Sequence, residues 1–158
     1  AFPDLIFAMA IMTFMGKGVL NLFIALGLLT WVRTARMIRG SVMQLKEKEY
    51  IEASRACGAS TYWIIMKGLV PNCLSTIIVL VTLGIPNAIM YEASLSFLGI
   101  GIQPPTPSWG NMISAAQTFI SFRPVYSIMP GVAIMITVIA FNIFGDGLRD
   151  ALDPKLKN

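Results

Sequence analysis

Two long stretches rich in Ile, Leu and Val carry no charged side chain: Gly68 to Tyr91, 24 residues, and Pro124 to Gly145, 22 residues. A helix needs about 20 apolar residues to cross a bilayer. In hydrocarbon every backbone N–H and C=O must be satisfied internally, so only helices and closed barrels span. Both runs are rich in Ile, Leu, Val and Met, and both read as spanning helices. Val19 to Val32 is also uncharged and extends through Arg36 if the basic side chains snorkel to the interface. Phe2 to Met15 is apolar except for Asp4. The fold class is therefore an all-α membrane protein, a polytopic helical bundle. One domain over 1–158 is expected, with spans at about 2–15, 19–36, 70–91 and 125–145. The first run is short and the chain opens Ala-Phe-Pro with no signal peptide. The expectation is a fragment lacking N-terminal spans. Composition agrees with a lipid solvent, since 56% of residues are hydrophobic and 13% charged, against about 25% charged in soluble domains.

The charges set the orientation. Arg33 to Lys67 holds seven of the twelve basic residues, whereas the segment 92–124 holds only Arg123. The tail holds Arg149, Lys155 and Lys157. The positive-inside rule places segment 37–69 and tail 146–158 in the cytoplasm, and loop 92–124 outside. Lys17 is a small exception. The net charge of +4 is thus a topology signal and gives no reason to expect nucleic acid.

Several chemistries are excluded. The chain has no histidine, which removes His-ligated metals and Ser-His or Cys-His catalysis. Cys57 and Cys73 are too few and too far apart for a zinc ribbon or a redox pair. No catalytic residue and no metal site is assigned. Asp146, Asp150 and Asp153 share one helical face, with Arg149 an i+3 partner for Asp146. They read as a solvated acidic face at a membrane exit. No Walker loop is present, so this chain does not hold ATP by that motif. Neither long uncharged run contains an acid of the kind a proton-coupled transporter keeps.

The segment Lys46 to Ala56 is built from good helix formers. Gly58 suits a left-handed C-cap. Ser60 is placed to N-cap a second short helix through Lys67. Tyr62, Trp63, Ile64, Ile65 and Met66 make that helix too apolar for a solvated loop. It faces lipid, its own bundle or a partner protein, and an interfacial hairpin anchored by Trp63 is the competing reading. Pro71 sits where a helix start tolerates proline. Pro86 predicts a kink or break. Gly99, Gly101, Pro104, Pro105, Pro107 and Gly110 predict an ordered irregular loop, and Ser108 opens a short helix through about Phe119.

The spacing Glu52-Ala53-Ser54, Gly58, then Gly68-Leu69-Val70-Pro71 resembles the EAA motif of ABC-importer permeases. Ser54, Gly68 and Val70 depart mildly from it, and Gly68 is expected to loosen the junction to the next span. The resemblance implies a type I importer permease whose cytoplasmic coupling helix docks on the ATPase. Glu52, Ala53, Arg55, Gly58 and Pro71 are then the coupling residues. The long segment Glu92-Ala93-Ser94-Leu95-Ser96-Phe97-Leu98-Gly99 through Pro104-Pro105-Thr106-Pro107-Ser108-Trp109-Gly110-Asn111-Met112 looks like the external loop of the dipeptide, oligopeptide and nickel branch, and is similar to its C-type subunit. Phe141 to Pro154 looks like the end of that subunit's last span. Trp31 to Gly40 looks like the family's span exit before the coupling loop. For Glu92 the roles of gate, cap and loop anchor stay open.

The resemblance implies a multi-pass protein of the prokaryotic inner membrane, lying in the lipid bilayer. It implies a second permease subunit, two cytoplasmic ABC ATPases and an extracytoplasmic substrate-binding protein as partners. ATP and Mg would sit on the ATPases, with no cofactor and no enzymatic activity on this chain. Peptides, related small solutes or a nickel complex are the implied cargo. Thr82, Asn87, Thr137 and Asn142 are the polar candidates for the translocation path. A stand-alone channel or secondary transporter is the alternative. It needs a buried ionisable pair or a filter-like repeat, and neither is visible in the sequence.

Overall fold

The computed structural model describes residues 3–152. Among these all regular structure is helical: α1 (Asp4–Met15), α2 (Val19–Lys46), α3 (Glu49–Ala56), α4 (Thr61–Trp63), a π-helical turn (Ile64–Leu69), α5 (Val70–Phe97), α6 (Trp109–Ala116), a 3-10 turn (Gln117–Phe119) and α7 (Val125–Leu152).

Each long helix outruns its apolar stretch. α2 continues through Arg36 and Arg39 to Lys46, ten residues past the expected end of the span at 36. α5 runs through Pro86 and on to Phe97, six residues beyond Tyr91. α7 carries on past Gly145 through Asp146, Arg149 and Asp150. Hydropathy marks where a helix sits in lipid, whereas the backbone ladder needs only residues that tolerate helical geometry. Arg, Met, Leu and Ala are among the best of these. The segments expected as loops at 37–69 and 92–124 are correspondingly shorter and more helical. Phe2, Asp153-Pro154 as a helix stop, and the tail basics Lys155 and Lys157 lie outside the described residues.

α2 and α5 run antiparallel. Leu22, Ala25 and Leu26 share a core with Leu95 at one end. Met37 meets Leu80 and Leu83 midway. Val42 and Leu45 pack on the cluster containing Leu69 at the other end. α7 also lies antiparallel against α5, with Gly145 against Leu83 and Thr82 and Ile134 beside Met90 and Ala93. α6 wedges between α5 and α7. α1 folds back on α2 through Gly16–Gly18. Both of these glycines have positive φ, and Asn21 Nδ2 donates to the carbonyls of Met15 and Gly16 at 2.7 and 3.1 Å.

Among the described residues three helices are long and apolar enough to cross a membrane: Val19–Lys46, the continuous rod Thr61–Phe97, and Val125–Leu152. Only 17%, 17% and 11% of their most apolar windows are buried within the chain. The remaining apolar surface is of a kind that lipid or other protein segments cover. Hydroxyl groups inside these helices donate to their own backbone. Thr30, Thr34, Thr82 and Thr137 each bond the carbonyl four residues back at 2.8–3.1 Å. That pattern satisfies a polar group without a partner helix.

Candidate functional site

The segment between α2 and α5 is a helical hairpin with its own small core. Ile51 is 1% exposed and packs on Ile64 and Leu69, with Val42, Leu45 and Ala59 around them. α3 ends in a Schellman motif. Gly58 N–H donates to Arg55 O at 2.9 Å and Ala59 N–H to Ser54 O at 3.0 Å, with Gly58 at φ 79°. The left-handed turn favours glycine, and Ala59 turns inward onto the Ile51 core. Ser60 Oγ then accepts from Trp63 N–H at 3.2 Å and caps the second helix.

That second helix does not stop at Lys67. It passes through the π turn straight into α5, with Val70 N–H reaching Ile65 O, five residues back. Pro71 supplies the reason. It has no N–H, and its ring crowds the carbonyl four residues earlier. Widening the helix by one residue just before the proline relieves that crowding. Pro71 therefore lies within a continuous rod, a correction to its reading as the start of a separate helix. Gly68 also differs from expectation, because it does not loosen this junction. It is buried, and a Cβ there would stand 2.8 Å from Ile51 Cδ1. Its carbonyl accepts from Asn72 Nδ2 at 2.7 Å and from Tyr50 Oη at 3.3 Å, which ties α3 to the rod.

On the outer surface of the hairpin Glu52, Ala53, Arg55 and Gly58 are exposed. On the same hairpin Tyr62 is 74% exposed, and Trp63, Ile65 and Met66 are likewise exposed. Ile64 of this segment is buried in the hairpin's own core, and the described residues leave Tyr62, Trp63, Ile65 and Met66 uncovered.

At the opposite end of α5 Glu92 takes part in a hydrogen-bond chain that reaches the following loop. Its Oε1 accepts from Ser96 Oγ at 2.7 Å, and Ser96 Oγ accepts in turn from Ile102 N–H at 3.0 Å. A second Schellman motif closes the helix at Gly99, which has φ 75°. Gln103 Nε2 donates to the carbonyls of Gly99 and Ile102, both at 3.2 Å. Glu92 thus holds Ser96, which in turn holds the loop at Ile102. Ser108 Oγ accepts from Asn111 N–H at 3.1 Å and starts α6.

The path candidates scatter. Thr82 is buried at the α5–α7 contact beside Gly145. Thr137 is half-buried, and Asn142 is exposed on α7. Asn87 alone joins other polar groups: it lines a cavity of about 180 Å³ with Asp4, Thr30, Arg33, Thr34 and Tyr91. Arg33 Nη2 and Asp4 Oδ2 form an ion pair at 2.6 Å, the one ion pair among the described residues. Tyr91 Oη donates to the same Asp4 oxygen at 3.2 Å. Sequence reading missed this cluster, because Asp4 and Tyr91 are 87 residues apart. It read Trp31 to Gly40 as a span exit, and Arg33 lies well inside α2. Arg149 does not pair with Asp146; it lines a separate cavity with Met37 and Leu80.

The family described as "Binding-protein-dependent transport system inner membrane component" matches residues 1–158. The chain belongs to this family, the inner membrane permeases of ABC importers. It is 43% identical over 157 residues to proteins named glutathione transport system permease protein GsiD from Escherichia coli O157:H7 and from Shigella flexneri serotype 5b. The match covers 99% of this chain and 52% of each relative, so the chain spans about half the length of the curated relatives it matches. The chain is an all-α, multi-pass inner membrane segment of such a permease.

Proposed function

We propose that this chain forms part of the translocation path of an ATP-driven importer, and that the Glu49–Leu69 hairpin docks on a cytoplasmic ATPase partner. One observation carries the reading: the exposed motif residues Glu52 and Arg55 share with the exposed apolar residues Tyr62, Trp63, Ile65 and Met66 a hairpin continuous with a spanning helix. Apolar anchors rimmed by charge are the usual anatomy of a protein interface. A purely interfacial hairpin needs no capped turn at Gly58 and no rigid union with α5. Peptides or related small solutes are the proposed cargo, in line with relatives named for glutathione transport. The loop anchored by Glu92 and Ser96 faces the opposite side, where a substrate-binding protein would deliver the solute. A second permease subunit and two ATPases complete the assembly, with ATP and Mg on the ATPases.

The test uses the complete permease pair with its ATPases in proteoliposomes. Glu52→Lys is expected to lower ATP-dependent uptake and weaken ATPase capture, while the membrane subunits still co-purify. Gly58→Val is expected to do the same, because a β-branched residue at φ 79° is strained. Full uptake in both variants would sink the docking reading.

A further inference from the structure

We propose that Arg33, held by Asp4 and Tyr91, is a binding station for the carboxylate of a passing solute, a reading that rests on the permease function above. The cavity at this point lies between α1, α2 and α5 and is bordered by Asp4, Thr30, Arg33, Thr34, Asn87 and Tyr91. Its depth follows from the packing. The uncharged stretch of α7 ends at Gly145, which rests on Leu83 and Thr82. The cavity borders α5 from Leu80 through Leu83 and Asn87 to Tyr91, and so straddles the level of Gly145. Arg33 directly follows the uncharged run of α2, which ends at Val32, and so stands at the edge of the apolar layer closer to the Glu49–Leu69 hairpin. Ionisable groups paired beside a cavity at this level mark solute or ion pathways.

The hydrogen-bond geometry gives the site its direction. Asp4 takes both the guanidinium and the Tyr91 hydroxyl on one oxygen, Oδ2. A guanidinium carries five N–H donors. Asp4 uses one edge of it, and the Arg33 side chain is still 69% exposed. Thr30 and Thr34 spend their hydroxyl protons on their own helix. Asn87 Nδ2 likewise donates to Leu83 O at 3.2 Å, which leaves its amide oxygen as an acceptor. The cavity thus offers free cationic donors from Arg33 and one amide acceptor. A planar carboxylate is the group that a guanidinium fork binds bidentately. At about 180 Å³ the cavity is below the roughly 300–1,000 Å³ of a whole small-ligand site. It therefore receives one end of a solute. Asp4 keeps Arg33 aimed and lowers its net charge, which favours release, as conduction requires of a site on a path.

The test places a reporter at Gly84, which borders the cavity and where a Cβ meets nothing within 4 Å. Gly84→Cys is introduced into the full-length permease, with its partners, in nanodiscs and with the other cysteines replaced. Labelling by a thiol reagent is timed with N-acetylalanine, which has the carboxylate, and with N-acetylalaninamide, which lacks it. At twice its Kd a bound carboxylate leaves about a third of sites free, so labelling slows about threefold. The amide leaves the rate unchanged. Arg33→Gln abolishes the protection, and Arg33→Lys, which keeps the charge and loses the fork, weakens it. Equal protection by both compounds, protection by neither, or protection that survives Arg33→Gln overturns the proposal. The comparison of the two compounds needs no Arg33 variant, so a Gln variant that fails to assemble does not rescue the idea. ATP-dependent uptake by the same complex is read separately. Its absence would count against the permease function and leave the labelling result to stand or fall alone.

Discussion

Ser96 is 1% exposed and serves two partners through one oxygen, donating to Glu92 and accepting from Ile102 N–H. Removing that oxygen strands a backbone donor and a carboxylate acceptor together. An unsatisfied buried group costs about 1–3 kcal/mol. Ser96→Ala is therefore expected to loosen residues 99–107, read as faster amide exchange or faster proteolytic nicking of that loop. Ser94→Ala is the control. Ser94 Oγ donates only to Met90 O of its own helix, so its loss is expected to stay within about 0.5 kcal/mol. The same contrast separates two glycines of the hairpin. Gly58 is needed for its left-handed φ, and nothing crowds its Cβ position. Gly68 has helical geometry and is needed for the room it leaves to Ile51. Sequence spacing located Gly58 because a C-cap is a local signal. It misjudged Gly68 because the crowding partner lies 17 residues away on another helix.

At the scale of elements, α6 reaches α5 only because Gly110 has no side chain. A Cβ there would collide with the carbonyl oxygen of Ala93, and also stand 2.9 Å from Ala93 Cα. Backbone cannot rotate aside, so the two helices would have to separate. Gly110→Ala is expected to cost about 3 kcal/mol or more, seen as a lower thermal midpoint or loss of purified complex. At Gly145 the obstacle is Leu83 Cδ2 at 2.6 Å, the free end of a flexible side chain. Gly145→Ala is expected to cost under about 1.5 kcal/mol. Equal effects of the two would mean that α6 is not pinned to α5 in this way. The elements themselves were largely legible. Long uncharged runs marked the spans, and Ser60, Gly58 and Ser108 marked helix ends by their own chemistry. The lengths were not legible, because Arg33 to Lys46, Glu92 to Phe97 and Asp146 to Leu152 are polar and helical at once. The union of α4 with α5 was hidden too. Proline normally signals a helix start, and here a π turn absorbs it. The Asp4–Arg33–Tyr91 cluster was invisible for a different reason: each member belongs to a separate helix, and no local pattern joins them.

For the whole molecule the consequence is mechanical. Thr61 to Phe97 is one unbroken helical rod of 37 residues, about 55 Å long at 1.5 Å per residue. One end carries the proposed docking face, and the other carries the loop anchored by Ser96. Tyr50, Asn72 and the Gly68 carbonyl clamp α3 onto this rod, and Ile51 fills the space between them. On the proposed coupling, a displacement of the hairpin by its ATPase moves the far end of α5 as a rigid body, the kind of shift that alternating access requires. Rigidity, and not the docking contact alone, then carries the function. Inserting two glycines between Met66 and Lys67 separates these requirements. The inserted residues have the lowest helix propensity short of proline and break the rod after the exposed patch, leaving Glu52, Arg55, Tyr62 and Trp63 in place. The expected result is retained ATPase capture together with ATP-dependent uptake reduced by about tenfold or more, equivalent to about 1.4 kcal/mol of lost coupling. Two alanines at the same point keep the rod helical but rotate the hairpin by about 200° relative to α5, so uptake is expected to fail there as well. Four alanines restore the phase to within about 40° and are expected to recover part of the uptake. Full uptake in the glycine variant would show that the hairpin transmits its motion by another route, through α2 and the Val42–Leu45 contact.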